Sequence, residues 1–180
     1  MLEGLPLQIK TLNCLNNAPQ VIEDGETFRA NALKKAQVIN DYCGEMTLAD
    51  DSGLEVEALG GLPGVKSARF AGEEATDELN NSLLLEKLEG ISDDKRGARF
   101  VCVLAIVYPD GSYDIIEETC RGKILAAPQG RGGFGYDPLF YYPPADLTFA
   151  QMESETKNKV SHRGKALRQL RPLMENLFSG

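Results

Sequence analysis

Two aspartates that are adjacent in the chain, Asp50 and Asp51, are the residues whose type and spacing most strongly suggest chemistry. They open the segment Asp50–Gly53, between an apolar run that ends at Ala49 and another that begins at Leu54. We expect this segment to be a turn at the carboxyl end of a strand, where open α/β sheets bind ligands. Adjacent carboxylates repel each other, and a Mg²⁺ ion, which prefers oxygen ligands, would relieve that repulsion. An ordinary turn is the competing interpretation, because Asp, Ser and Gly are common turn residues.

A glycine-rich segment, residues 130–137, matches the spacing G-x-G-x-x-G. A dinucleotide-binding loop with this spacing must follow a strand and open a helix. Prolines flank the segment on both sides, so that interpretation fails. We predict instead a loop whose backbone a flat ligand can approach closely, with Phe134 or Tyr136 as a stacking platform. An ordinary surface loop is the alternative.

A third group of polar residues precedes an apolar stripe near the carboxyl terminus. Ser161 is a favourable helix cap, so His162 and Arg163 are predicted to lie in the first turn of a helix. Cations there oppose the helix dipole, at a typical cost of a few tenths of a kcal/mol, unless they meet an anion or an acceptor. A solvated basic face is the alternative interpretation.

Composition limits the classes of function. The chain has 180 residues, 42% of them hydrophobic and 26% charged, which fits one domain with a substantial core. Its net charge of −8 argues against nucleic acid polymers and anionic membranes as partners. The four cysteines lack C-x-x-C spacing, which favours reduced thiols over a disulfide framework or a zinc site. No apolar run approaches the length of a membrane span.

The elements that position these residues alternate in type. Apolar and polar periodicity predicts strands over 7–12, 46–49, 54–58, 99–108 and 113–121, and helices over 28–42, 77–88 and 161–178. Leu79, Leu83 and Leu84 are predicted to face inward on the second helix, and Pro172 to kink or split the last. The order predicts the α/β class, with a mixed sheet flanked by helices.

Four ordered motifs together resemble the inosine triphosphate pyrophosphatase family, over almost the whole chain. They are Ala49-Asp50-Asp51-Ser52-Gly53-Leu54, Leu59-Gly60-Gly61-Leu62-Pro63-Gly64 with Ser67-Ala68-Arg69, Gly133-Phe134-Gly135-Tyr136-Asp137-Pro138, and Ser161-His162-Arg163-Gly164-Lys165-Ala166-Leu167. The resemblance implies an elongated fold with two lobes and a central cleft, in a cytoplasmic homodimer. It implies Mg²⁺-dependent hydrolysis of ITP, dITP and XTP to the monophosphate and pyrophosphate.

The resemblance also implies roles for individual residues. Asp51 matches the catalytic and metal-linked aspartate, and we expect it to position a metal-polarised water, with Asp50 as a second metal ligand. The residues that match substrate contacts are Ser52, Phe134, Gly135, Tyr136, Asp137, Lys157, His162 and Arg163. A 6-keto purine accepts a hydrogen bond from Arg163 or His162, whereas the amino group of adenine cannot, a difference of about 1–3 kcal/mol.

Two departures from the family pattern lead to further expectations. The family opens with a strand and a phosphate-binding loop that are not found before Leu5, so we expect a domain, residues 1–180, that is truncated at its amino terminus. Ala30 replaces a metal-binding glutamate, for which Glu23 or Glu26 could substitute through water. The alternatives that stay open are a catalytically impaired nucleotide-binding subunit and a pyrophosphatase for another modified nucleotide.

Overall fold

A computed structural model describes residues 4–178 as four α-helices and five β-strands with short 3-10 helices between them. The strands are β1 (Thr47–Val56), β2 (Gly97–Val107), β3 (Tyr113–Ile124), β4 (Phe140–Tyr142) and β5 (Leu147–Thr148), and the helices are α1 (Phe28–Cys43), α2 (Asp77–Lys87), α3 (Ser154–Val160) and α4 (His162–Phe178). The strands form one sheet in the order β1-β2-β3-β4-β5. The predicted α/β class is confirmed, although the four neighbouring pairs are all antiparallel rather than mixed.

The segment Asp50–Gly53 is not a turn, and this prediction was wrong. It lies in the middle of β1, where Asp50 is paired with Leu104 and Asp51 with Val103 of β2. The two predicted strands on either side are therefore one strand of 10 residues. Asp, Ser and Gly are depleted in strands, but pairing along the whole length of β2 overrides that local preference.

The two faces of the sheet are covered by different helices. On one face, α1 packs Phe28, Ala32 and Ala36 against the odd-numbered positions of β2, such as Val101 and Val103. On the other face, α4 packs Ala166, Leu170 and Met174 against the even-numbered positions, such as Cys102 and Leu104. A third cluster, around Phe140, Phe149 and Leu84, lies at the end of the sheet that β4, β5 and α2 cover.

Most helix predictions are confirmed by local contacts. Thr27 caps α1 by accepting from the Ala30 N–H, and Gly44 ends it with a left-handed φ of 68°. Thr76 caps α2. However, Leu79 of α2 is 54% exposed, so it does not face inward as predicted. Pro172 lies inside α4, which continues on both sides of it.

One other prediction fails, and three elements were not predicted. Residues 7–11 form neither helix nor strand, and 12–14 form a 3-10 helix, because no strand in the described part of the chain pairs with them. The basic segment before Ser161 forms α3, which was not predicted, and the short strands β4 and β5 were not predicted either. The four cysteines are free thiols, as predicted. Among residues 4–178, no helix has the length and apolar character needed to cross a membrane.

Candidate active site

The adjacent carboxylates of β1 point to opposite faces of the sheet, because successive strand residues alternate in direction. Asp51 lies on the face that α1 covers, and Asp50 lies on the face that α4 covers. β1 is the outer strand of the described sheet, so both faces are reached around a single edge. The side chains of this pair therefore do not converge on one cation, which corrects that expectation.

Asp51 belongs to a partly buried charged cluster with α1. The Lys35 ammonium lies 2.9 Å from Oδ1 of Asp51 and 3.3 Å from Oε1 of Glu23. The second oxygen of Asp51, Oδ2, is buried and has no hydrogen-bond partner among the described residues. Burial raises the pKa of Asp51, although Lys35 and the nearby side-chain amide of Asn31 oppose this shift. A buried carboxylate oxygen without a partner is an unsatisfied acceptor that a cation, or a water held by one, would satisfy.

The Asp50 carboxylate accepts four hydrogen bonds from protein donors. Arg163 donates to it through Nε and Nη2, each at 3.1 Å. The Ser52 hydroxyl donates at 2.7 Å and the Cys102 thiol at 3.3 Å. Burial by itself would raise the pKa of Asp50, but the hydrogen bonds and charge of Arg163 hold it below its usual value. Two donors on each oxygen use the acceptor capacity of a carboxylate, so Asp50 fits a residue that fixes Arg163 better than a metal ligand.

The glycine-rich segment presents one aromatic ring to solvent and buries the other. Phe134 is 59% exposed, and the cationic groups of Lys157 and Arg163 lie 4.7 and 5.4 Å from its ring centroid. Tyr136 is 4% exposed and donates to the Ser67 carbonyl at 2.8 Å. Phe134 is thus the available stacking platform, and the prediction that Tyr136 could serve instead is wrong. No helix follows the segment, which agrees with the rejected dinucleotide interpretation.

Asp137 and Lys157 form a buried ion pair beneath this loop. Asp137 is 2% exposed, and its Oδ2 accepts from Lys157 Nζ and, at 2.9 Å, from the Phe134 N–H. The pair therefore joins α3 to the loop and sets where the Phe134 backbone lies. Charge-assisted hydrogen bonds to a buried carboxylate are among the stronger polar contacts in proteins.

His162 and Arg163 begin α4, as predicted, and Ser161 caps it by accepting from the Gly164 N–H at 3.1 Å. The His162 ring stacks on Phe100, with centroids 4.7 Å apart. Burial lowers the pKa of His162 to about 3, and the nearby charge of Arg163 acts in the same direction. Its Nδ1 is buried without a partner among the described residues. A neutral ring can donate or accept a hydrogen bond, but it carries no charge at neutral pH.

The candidate site has two halves, the Asp51 cluster on one face of β1 and the Phe134 loop with Arg163 on the other. A 3-10 segment, Gly64–Arg69, contacts both halves around the edge of β1. Its Ser67 Oγ accepts from the Leu54 N–H at 2.8 Å, and its Ser67 carbonyl accepts from Tyr136. Its last residue, Arg69, donates to the Glu23 carbonyl at 3.0 Å. One short segment thus contacts both the Phe134 loop and the chain beside the Asp51 cluster, so the two halves form a connected site.

Comparisons with known proteins identify the family and the fold. The model of the Ham1 family matches residues 1–173. The chain belongs to the Ham1 family. The resemblance that the four motifs carry is therefore confirmed.

Two relatives of this Ham1 chain align with almost its whole length. It is 53% identical to a dITP/XTP pyrophosphatase of Syntrophobacter fumaroxidans, over 94% of this chain and 72% of that protein. It is 49% identical to a dITP/XTP pyrophosphatase of Desulforamulus reducens, over 99% of this chain and 89% of that protein. The structure of the Staphylococcus aureus Ham1 protein superposes with a TM-score of 0.83 at 43% identity, and covers 87% of this chain and 81% of its own.

The sequence analysis named candidate residues on both faces of β1 in this Ham1 chain, and their roles stay predictions. It did not single out Lys35 or Asp77. Ser52, Phe134, Asp137, Lys157, His162 and Arg163 lie with Asp50 on one side of β1, whereas Asp51 lies on the other. Lys35 was not predicted, although a lysine seven residues into a capped helix faces the same side as Phe28 and Ala32. Asp77, which accepts from the Gly135 N–H, gave no signal beyond its place beside a helix cap. Ser67, whose carbonyl accepts from Tyr136, was named only as part of a family motif.

Proposed function

We propose that this chain hydrolyses non-standard purine nucleoside triphosphates, such as ITP, dITP and XTP, to the monophosphate and pyrophosphate. The observation that carries the proposal is the division of polar groups around the edge of β1. One face holds an aromatic ring beside cationic side chains, which suits a purine. The other face holds a carboxylate with a free oxygen beside a lysine, which suits a triphosphate with its cation.

On the phosphate side, Asp51 is proposed as the catalytic residue. Its unpartnered Oδ2 fits a ligand to Mg²⁺, directly or through water, and Glu23 lies close enough to contact the same Lys35. Glu23 is therefore a better substitute than Glu26 for the glutamate that Ala30 replaces. Magnesium, when bound, lowers the pKa of a coordinated water and offsets phosphate charge. With the ion bound, Asp51 would orient a water for attack on the α-phosphorus, which displaces pyrophosphate, and would accept the proton of that water. Lys35 would add positive charge beside the phosphates.

No three acidic, histidine or cysteine side chains converge on one point within residues 4–178. A magnesium ion usually takes only one or two carboxylates from the protein and completes its shell with waters and substrate oxygens. We therefore propose that the nucleotide brings part of the metal site with it. Metal binding should be much tighter in the presence of a nucleoside triphosphate than in its absence.

On the base side, Phe134 is proposed to stack on the purine, with Arg163 and His162 donating to its 6-keto oxygen. Arg163 is held by Asp50, so its remaining N–H groups have a fixed direction. Adenine presents an amino group at the same position and leaves that donor unpaired, at a cost of about 1–3 kcal/mol. This corresponds to a preference for ITP over ATP of up to roughly a hundredfold from one contact.

The test is hydrolysis of ITP, XTP, GTP, ATP and dTTP by the purified chain, with and without Mg²⁺. Pyrophosphate release is the measured quantity. The proposal expects turnover of ITP and XTP well above that of ATP, with stoichiometric monophosphate and no activity after chelation. Turnover of a pyrimidine triphosphate above ITP would contradict it. Binding of ITP without any product at saturating Mg²⁺ would also contradict it. A cytoplasmic homodimer and a single domain over residues 1–180 are parts of the same proposal, and sedimentation tests the dimer.

A further inference from the structure

Two side chains of α2 bind both backbone groups of Gly135, directly after the exposed ring of Phe134. Asp77 Oδ2 accepts from the Gly135 N–H at 2.5 Å, and Asn81 Nδ2 donates to the Gly135 carbonyl at 2.9 Å. Because they are four residues apart, Asp77 and Asn81 lie on the same face of the helix. We propose that this pair is a clamp that fixes the direction of the Phe134 ring and thereby sets the affinity for the purine base.

The clamp acts on the backbone torsions of Phe134 itself. The peptide unit before its Cα is held because the Phe134 N–H donates to Asp137 at 2.9 Å. The peptide unit after its Cα is held because the Gly135 N–H donates to Asp77 and the Phe134 carbonyl accepts from the Asp137 N–H at 3.2 Å. With both units hydrogen-bonded, φ and ψ of Phe134 are constrained, and so is the direction of its Cα–Cβ bond. The ring itself is 59% exposed, and the side-chain contacts that the structure gives it are those with the cationic groups of Lys157 and Arg163, so its backbone restraints carry much of its orientation.

Gly135 is also the residue that permits this geometry. Its φ of 59° is in the left-handed region, which costs a glycine almost nothing and most other residues more than 1 kcal/mol. Nothing lies within 4 Å of the position that a Cβ would occupy. The glycine is thus required by its backbone conformation and not by lack of space. That conformation lets its N–H and its carbonyl reach Asp77 and Asn81.

The helix that carries the clamp is itself fixed to the protein. Leu84 of α2 is completely buried, and Asn80 accepts from the Ala71 N–H at 2.8 Å and donates to the Ala68 carbonyl at 3.1 Å. The clamp therefore ties the loop to a helix that is itself buried on one side and hydrogen-bonded to the chain at residues 68 and 71. Both clamp residues are positioning residues, because they contact the loop and not the substrate.

This inference rests on the proposed function, and it predicts which kinetic constant changes. Loss of one of these hydrogen bonds should free the ring and raise KM for ITP by roughly two- to tenfold. The kcat should stay within about twofold, since Asp51 lies on the other face of β1. A merely structural role would lower the stability or kcat without this selective change in KM.

The experiment uses tryptophan fluorescence as the reporter, and the unaltered chain contributes no tryptophan signal. The sequence contains no tryptophan, so Phe134→Trp introduces a single indole at the ring position. In this background, Asn81→Ala and Asp77→Ala should lower the indole anisotropy. They should also raise the apparent dissociation constant for ITP, measured by titrating the quenching of the indole. Alanine is a strong helix former, so neither change should unfold α2. Glu78→Ala is the matched control, because it removes an acidic residue from the same first turn without touching Gly135.

The outcomes separate the clamp from the proposed function. Unchanged KM and unchanged indole quenching in Asn81→Ala and Asp77→Ala would overturn the clamp, as would equal effects of Glu78→Ala. Failure of the unaltered chain to hydrolyse ITP would refute the proposed function alone, since quenching of the Phe134→Trp protein by ITP still tests the clamp. Absence of quenching by ITP in every variant would overturn the clamp together with the stacking role of Phe134, whereas the hydrolysis assay decides the proposed function.

Discussion

The different environments of Asp50 and Asp51 predict that the same substitution at each will affect different steps. Asp50→Asn removes the negative charge and one acceptor from a carboxylate that receives four donors, two of them from Arg163. Asp51→Asn removes a charge from the carboxylate that has an unpartnered oxygen. We therefore expect Asp50→Asn to weaken base recognition and Asp51→Asn to abolish turnover.

The size of the Asp50 effect follows from its exposure. A two-pronged hydrogen bond to a charged group contributes about 1.5–3 kcal/mol when buried. The side chains of Arg163 and Asp50 are 42% and 32% exposed, so solvent screening reduces this to about 1–2 kcal/mol. If that energy is lost from base binding, KM for ITP should rise by roughly five- to thirtyfold, with kcat almost unchanged. Asp51→Asn should instead lower kcat by at least about a hundredfold, the usual contribution of a proton acceptor.

The assay is steady-state hydrolysis of ITP, combined with binding of Mn²⁺ as a spin probe in the presence of an ITP analogue with an uncleavable α,β bridge. Asp50→Asn should retain the Mn²⁺ signal and Asp51→Asn should lose it. Asp93→Asn is the control, because it makes the same substitution in an exposed ion pair with Lys123. Loss of the Mn²⁺ signal in Asp50→Asn would refute the assignment of Asp50 to Arg163.

Three further predictions follow from single residues. Phe134→Ala should raise KM for ITP by about tenfold or more, because base stacking contributes about 1–3 kcal/mol, and an unchanged KM would leave the ring without that role. The folded-state pKa of His162, about 3, lies below the unfolded value near 6.5, so stability should fall as the pH drops below about 6.5, by about 2 kcal/mol at pH 5. Denaturant unfolding at pH 7.5 and 5 should show this slope reduced in His162→Phe. Gly53→Ala should lower the free energy of unfolding by about 1–3 kcal/mol, since its Cβ would lie 2.5 Å from Ser67 Oγ, and an unchanged melting temperature would show that the segment moves away.

The fold was predictable wherever the sequence carries a strong period or a cap. The hairpin of β2 and β3 shows a long β-branched run and a turn, and α1 is marked by Thr27 at one end and Gly44 at the other. Prediction failed at β1, where the residues that do chemistry are poor strand formers. Gly53 is there because a Cβ at that position would lie within 2.7 Å of atoms of Ser67, Gly64 and Phe28, a tertiary cause that no local pattern shows.

The candidate residues were predictable from motif resemblance, but their grouping was not. Adjacency in the sequence suggested that Asp50 and Asp51 act together, whereas the strand alternation separates them. Conversely, Asp50 and Arg163 are 113 positions apart and share two hydrogen bonds. Which carboxylate meets which cation depends on strand register and on the packing of α1 and α4, and these are properties of the assembled sheet.

The register of β1 against β2 therefore places the proposed phosphate side, at Asp51, and the proposed base side, at Asp50, on opposite faces of the sheet. Every residue from Thr47 to Val56 is paired with β2, and each side chain faces α1 or α4 accordingly. A slip of one residue would turn Asp50 toward Lys35 and Asp51 toward Arg163, and it would also bring apolar residues to the wrong faces. The buried clusters on both faces resist such a slip, so the same packing that stabilises the sheet keeps the phosphate-side carboxylate free and the base-side carboxylate occupied. Asp50 and Asp51 are for this reason not interchangeable, although they are chemically identical neighbours.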